Sequence, residues 1–119
     1  MIKRISIFGS TGSIGSTVFR ILDKNFKDFK IYTLAANSNY KKIEKQIMTY
    51  KPEVFIIFNW KTYLKIKKKY LKKKIIILNS KNYLTFKFKK SDISISAIPG
   101  ISGLQPTLLL VDISKKILL

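Results

Sequence analysis

The junction of KRISIF (residues 3–8) with GSTGSIGST (residues 9–17) constrains this chain more than any other feature. A short β-branched run stopped by glycine reads as a strand leading into a sharp turn. From Ser13 the period changes: Ile14, Val18, Ile21 and Leu22 recur at helical spacing and predict a helix ending near Asn25. The Gly9, Gly12 and Gly15 frame therefore spans the junction of a first strand and a first helix. A strand and a helix joined this way need a parallel partner strand to close the unit.

The rest of the chain repeats the alternation. Lys30–Ala36 predicts a second strand, broken by Asn37, Ser38 and Asn39. Asn39 is placed to cap a helix running to about Tyr50, with Ile43 and Ile47 on its buried side and Pro52 ending it. Val54–Phe58 is a continuous apolar run, as a buried parallel strand requires. Trp60–Lys73 is lysine-laden but carries Tyr63, Leu64, Ile66, Tyr70 and Leu71, the pattern of an outer amphipathic helix. Ile75–Leu78 predicts another buried strand, and residues 80–90 fit a short helix or an irregular excursion. Asp92–Ile98 predicts a strand, Pro99 and Gly100 a turn, and Leu104–Ser114 a helix with Pro106 in its first turn. Lys116–Leu119 opens a last strand. The expectation is an α/β fold: a doubly wound, mainly parallel Rossmann-like sheet with helices on both faces, in a single domain spanning 1–119.

Composition narrows the chemistry. There is no histidine and no cysteine among the 119 residues, which excludes a histidine base, a thiol nucleophile and thiolate metal sites. The acids Asp23, Asp28, Glu44, Glu53, Asp92 and Asp112 are scattered, so no catalytic residue and no metal ligand is expected. The net charge of +18 invites a nucleic-acid reading, but Arg4 and Arg20 are the only arginines among 24 basic residues. Base readout and phosphate forks favour the bidentate guanidinium. A solvated lysine surface is the expectation and nucleic acid an unlikely partner. No apolar stretch approaches the roughly 18 residues of a membrane span. No leader is recognisable either, so a cytoplasmic location is expected.

In a first βα turn each glycine has a task. Gly9 lets the chain leave the strand sharply, Gly12 lets backbone approach a pyrophosphate, and Gly15 lets the helix pack closely. The first-turn N–H groups then face the phosphates, with the helix dipole behind them and the Thr11 and Ser13 hydroxyls beside them. An NAD site carries an acid at the end of the second strand for the ribose 2′-hydroxyl. This chain has Asn37, Ser38 and Asn39 there, followed by Lys41 and Lys42, which favours a 2′-phosphate and hence NADPH.

Four segments, GSTGSIGSTVFRIL (9–22), TLAANSN (33–39), EKQIMTYKPE (44–53) and AIPGISGLQPTL (97–108), together with KKILL at 115–119, carry a further likeness. In order and spacing they resemble the N-terminal NADPH-binding domain of the 1-deoxy-D-xylulose 5-phosphate reductoisomerase family. The resemblance implies an NADPH-dependent oxidoreductase of isoprenoid biosynthesis by the methylerythritol phosphate pathway. Such an enzyme isomerises and reduces a phosphosugar to 2-C-methyl-D-erythritol 4-phosphate, with a divalent metal (Mg or Mn), as a homodimer. It implies cofactor contacts at Thr11, Gly12, Ser13, Ile14, Asn37, Ser38 and Asn39, with Ala97 and Ile98 nearby. Asn37 and Ser38 depart from the family's commoner glycine and basic residue, and Lys41 or Lys42 can replace the missing charge. The family's metal ligands, substrate-phosphate site and C-terminal domains would lie beyond residue 119, so the chain alone is expected to be inactive. Two alternatives stand beside this reading. One is the cofactor domain of another NADP-dependent reductase, such as a semialdehyde dehydrogenase. The other is a basic nucleic-acid-binding α/β protein.

Overall fold

The computed structural model describes residues 2–98, 106 and 113–118. The apolar runs form strands β1 (Lys3–Phe8), β2 (Phe29–Ala36), β3 (Val54–Ile57), β4 (Ile76–Asn79), β5 (Ser91–Ser96) and β6 (Ser114–Leu118). Between them stand helices α1 (Ser13–Asp23), α2 (Tyr40–Tyr50) and α3 (Trp60–Lys69). All pairings are parallel, in the order β4-β3-β2-β1-β5-β6. The chain steps outward from β1 to β4 through three helical crossovers, then returns to lay β5 on the other side of β1. That reversal places a switch point at the carboxyl ends of β1 and β5.

Helices α1, α2 and α3 all cover one face of the sheet. Phe19, Ile43, Ile47, Tyr63 and Ile66 meet Ile5, Ile7, Leu34, Phe55 and Ile57 there. Same-handed crossovers that all move in one direction can only stack on one side. On the other face, Phe8, Tyr32, Ala35, Ile56 and Leu78 are covered by Tyr83, Phe86 and Phe88, and by Ile113, which is helical. The crossing segment 80–90 is thus the irregular excursion rather than a helix. Its turn is closed by its own side chains: Asn79 Oδ1 accepts from the N–H groups of Lys81 and Asn82, and Asn82 Oδ1 accepts from Asn79 N. The expected turn at Pro99–Gly100 and most of the helix expected at Leu104–Ser114 lie outside the described residues; Pro106 is helical, whereas Ser114 opens β6.

Two devices fit β2 and β5 to this sheet. The register against β1 slips between Ile5 and Ser6, leaving Tyr32 as the extra residue. Tyr32 faces the second side, and the slip returns Leu34 to the same first face as Ile31, three residues on. Strand β5, between two neighbours, buries hydroxyls rather than alkyl groups. Ser91 Oγ pairs with Ser6 Oγ at 2.6 Å, and Ser94 Oγ accepts from Ser114 Oγ. At the start of β5, Asp92 accepts from Arg4 N at 2.8 Å and pairs with Lys115 at 3.2 Å. Those two contacts hold its carboxyl below the usual carboxylate range, the Arg4 N–H most of all.

Three details differ from the sequence reading. Helix α1 buries Gly15 and Phe19, with Val18 and Leu22 half-buried, whereas Ile14 and Ile21 are 61% and 60% exposed. Periodicity anchored on isoleucine set the face one position off, because Gly15 rather than Ile14 meets the turn below it. Helix α3 stops at Lys69, and Leu64 and Leu71 face outward. Strand β5 starts at Ser91 and ends at Ser96, before the predicted Ile98.

Candidate functional site

Phe8 ends β1 fully buried, and Gly9 turns the chain at φ +88°. Gly9 N and Ser10 N both donate to Ala35 O, at 2.7 and 3.0 Å, which ties the turn to β2. On the other side Ala97 N donates to Phe8 O at 2.7 Å. A Cβ added at Gly9 would lie 2.7 Å from the Ala97 backbone carbon and oxygen, so this position demands glycine twice over. Gly15 fails differently: its Cβ would stand 2.5 Å from Gly9 O and 2.6 Å from Ser10 O. Helix α1 therefore rests on the turn that precedes it. Gly12 is free of such crowding, its nearest neighbour being Gly9 O at 3.6 Å.

Gly12 is also the N-cap of α1, and no side chain caps the helix. Its carbonyl accepts from Ser16 N and Ser16 Oγ, both at 2.9 Å. The first-turn N–H groups at Ser13 and Ile14 point out of an uncapped helix end, the arrangement that accepts an anion. Thr11, Gly12, Asn37, Phe58, Ala97 and Ile98 line the cleft in front of it, with Gly9 and Ala36 at its base, in a volume of about 450 Å³. None of these lining residues is acidic.

The segment after β2 is held from behind. The carbonyls of Ala36, Asn37 and Ser38 accept in turn from Phe58 N, Asn59 N and Thr62 Oγ1, at 3.0, 3.3 and 3.4 Å. Asn59 caps α3, its Oδ1 accepting from Thr62 N and Thr62 Oγ1, both at 3.0 Å. Asn39 caps α2 through Lys42 N at 3.2 Å. Asn37, Ser38 and Asn39 keep exposed side chains at the cleft's outer end.

Of the residues expected at the site, Thr11, Gly12 and Asn37 line the cleft, Ser13 and Ile14 form the α1 first turn above it, and Ser38 and Asn39 border it. Ala97 and Ile98 form its far wall. The sequence reading did not find Gln46. It is 8% exposed on α2 and donates through Nε2 to Ser10 O at 2.9 Å. One turn earlier, Lys42 Nζ donates to Thr11 O at 3.2 Å. A polar residue between the buried Ile43 and Ile47 was the available signal, since a buried amide needs a partner. Gln46 Oε1 and Ser10 Oγ are buried without one.

A parallel sheet that reverses at β1 and β5, with a glycine turn and an uncapped helix opening onto that point, is a Rossmann-like domain. The family model for 1-deoxy-D-xylulose 5-phosphate reductoisomerase matches residues 5–119. This chain belongs to that family, which decides against the semialdehyde dehydrogenase alternative. The reductoisomerase of Pelagibacter ubique is 38% identical over 118 residues, covering 97% of this chain and 30% of that protein. That of Buchnera aphidicola is 37% identical over 121 residues, covering 98% and 30%. A solved DOX-P reductoisomerase in complex with NADPH, fosmidomycin and magnesium superposes with a TM-score of 0.85 at 25% identity, over 99% of this chain and 30% of that one. A magnesium complex superposes with a TM-score of 0.86 at 26% identity, over 100% and 30%. The chain thus spans about 30% of the length of the relatives it matches.

Proposed function

We propose that residues 1–119 form the NADPH-binding domain of a reductoisomerase that converts 1-deoxy-D-xylulose 5-phosphate to 2-C-methyl-D-erythritol 4-phosphate in isoprenoid biosynthesis. The observation that carries the reading is the bare face of Gly12 beneath the uncapped first turn of α1, opening on a cleft with no acid among its described lining residues. There the N–H groups at Ser13 and Ile14 hold the pyrophosphate, and the Thr11 and Ser13 hydroxyls stand beside it. Asn37, Ser38 and Asn39 receive the adenosine ribose and its 2′-phosphate. Ala97 and Ile98 form an apolar wall along the cofactor's path. When bound, NADPH supplies the hydride; this chain's residues bind and orient it.

The divalent metal belongs to the proposal for the whole protein. Among the described residues no three His, Cys, Asp or Glu side chains come together to hold one. The phosphosugar substrate, the homodimer and the cytoplasmic location belong to the same proposal. No described helix is long and apolar enough to cross a membrane.

The test is a fluorescence titration of the purified chain with NADPH, with and without duplex DNA. Saturable binding that DNA does not displace is expected. A chain that binds DNA with steep salt dependence and leaves NADPH free would overturn the reading.

A further inference from the structure

Within the NADPH reading, the geometry points to Lys42 as the residue that discriminates the 2′-phosphate, held in position by a clasp between α2 and the glycine turn. The segment 37–39 is neutral, and a dianionic phosphate at the end of β2 needs a cation nearby. Lys41, Lys42 and Lys45 all lie on the first turns of α2, and all are exposed. Only Lys42 is directed at the turn.

Lys42 and Gln46 are four residues apart and so share one face of α2. They donate to consecutive carbonyls, Lys42 Nζ to Thr11 O at 3.2 Å and Gln46 Nε2 to Ser10 O at 2.9 Å. The Gln46 bond is buried and fixes which face of α2 meets the turn. That choice sends Lys42 across the gap between the end of β2 and the start of α1, where a 2′-phosphate would lie. Its neighbour Lys41 leaves the helix about 100° around the axis and has no hydrogen bond to the turn. Among the described residues, Lys42 is the only one whose charged group hydrogen-bonds to the turn.

The Thr11 contact does not consume the ammonium. A lysine has three donors and this bond uses one, so two stay open at the mouth of the cleft. A carbonyl acceptor on an exposed loop is readily exchanged for a phosphate oxygen, which binds an ammonium more strongly. Nearby acids do not compete: Glu44, on the same helix, is ion-paired with Lys69.

The experiment titrates wild type, Lys42→Met and Lys41→Met with NADPH and with NADH. Lys42→Met is expected to weaken NADPH about ten- to a hundredfold, the worth of a charge-assisted hydrogen bond, while NADH binding stays within about twofold. Lys41→Met is expected to match wild type for both. Equal weakening of both cofactors by Lys42→Met would make Lys42 a support of the turn and overturn the assignment. An unchanged NADPH affinity in Lys42→Met, or the selective loss appearing in Lys41→Met instead, would overturn it as well. Wild type binding neither cofactor would instead sink the NADPH reading on which the assignment rests.

Discussion

Gly12 and Gly15 lie three residues apart, yet a methyl group added to each meets different surroundings. At Gly15 it would press into the carbonyls of Gly9 and Ser10, which are backbone and cannot yield without moving the turn. Gly15→Ala is expected to cost about 1–3 kcal/mol in chemical denaturation, as overpacking does. At Gly12 there is room, and φ is −78°, an angle any residue accepts. Gly12→Ala should therefore keep its stability within about 1 kcal/mol of wild type and lose NADPH affinity by at least about tenfold. Calorimetry and titration on the same sample separate the two. Parallel losses in both variants would mean that Gly12 serves only the fold. The glycine frame at a strand-to-helix junction assigns one task to each position, and the crowding at Gly9 and Gly15 beside the room at Gly12 is what those tasks require.

Tyr50, at the end of α2, is a second residue whose setting decides its behaviour. It stacks on Phe19 of α1 at 4.3 Å between ring centroids and donates to Asp23 at 3.0 Å. Burial first, then the hydrogen bond and charge of Asp23, push its phenol up to about 12 from the usual 10.0. The raised value favours the neutral phenol in the fold, so this stability is complete below pH 10 and drains away as pH rises towards 12. Tyr50→Phe should remove the highest-titrating step from the tyrosinate absorbance curve and flatten the alkaline loss of stability over that window. A curve identical to wild type would count against the Asp23 contact.

At the scale of elements, the support behind Asn37 and Ser38 comes from the cap of a different helix. Asn59→Ala should lower stability by about 1 kcal/mol through loss of the α3 cap. It should also free Thr62 from its place under Ser38, raising amide hydrogen exchange at residues 37–39. Exchange unchanged at those amides would show that the carbonyl contacts do not hold the segment. The order of strands and helices was readable because periodicity and breakers agree from residue 3 to residue 79. Asn59 before an amphipathic run was also a readable cap, passed over beside the stronger apolar strand that precedes it. Segment 80–90 was not readable, because its aromatic residues cover a sheet face without helical or strand spacing. The buried face of α1 was misplaced since glycine, which carries no hydrophobic signal, occupies its closest contact.

The whole molecule joins a legible scaffold to a charge of +18 that its fold does not require. Nearly all of that charge is lysine on exposed surface, and the described residues that line the cleft are neutral. What the sequence could not show is how α2 reaches back to the turn, because a contact between residues 42 and 11 leaves no periodic trace. The purified chain should bind NADPH without turning over 1-deoxy-D-xylulose 5-phosphate, since it spans about 30% of the relatives that carry the reaction's name. Substrate-dependent NADPH oxidation by the 119-residue chain would refute this.

Pairing of β5 with β1 joins Ile5 to Ile93 across most of the chain, whereas each neighbour from β1 to β4 is reached through a short helical crossover. Closing so long a loop costs more entropy than a helical crossover, so the sheet is expected to grow from β1 towards β4 before β5 docks. The cleft lies at that last seam, with Gly9 at its base and Ala97 in its far wall. Cofactor affinity in a refolding experiment should therefore appear only with the slowest phase, after most helical signal has returned. A nascent chain would carry its glycine turn alone until Ala97 had been synthesised and gave that turn a second wall to work against.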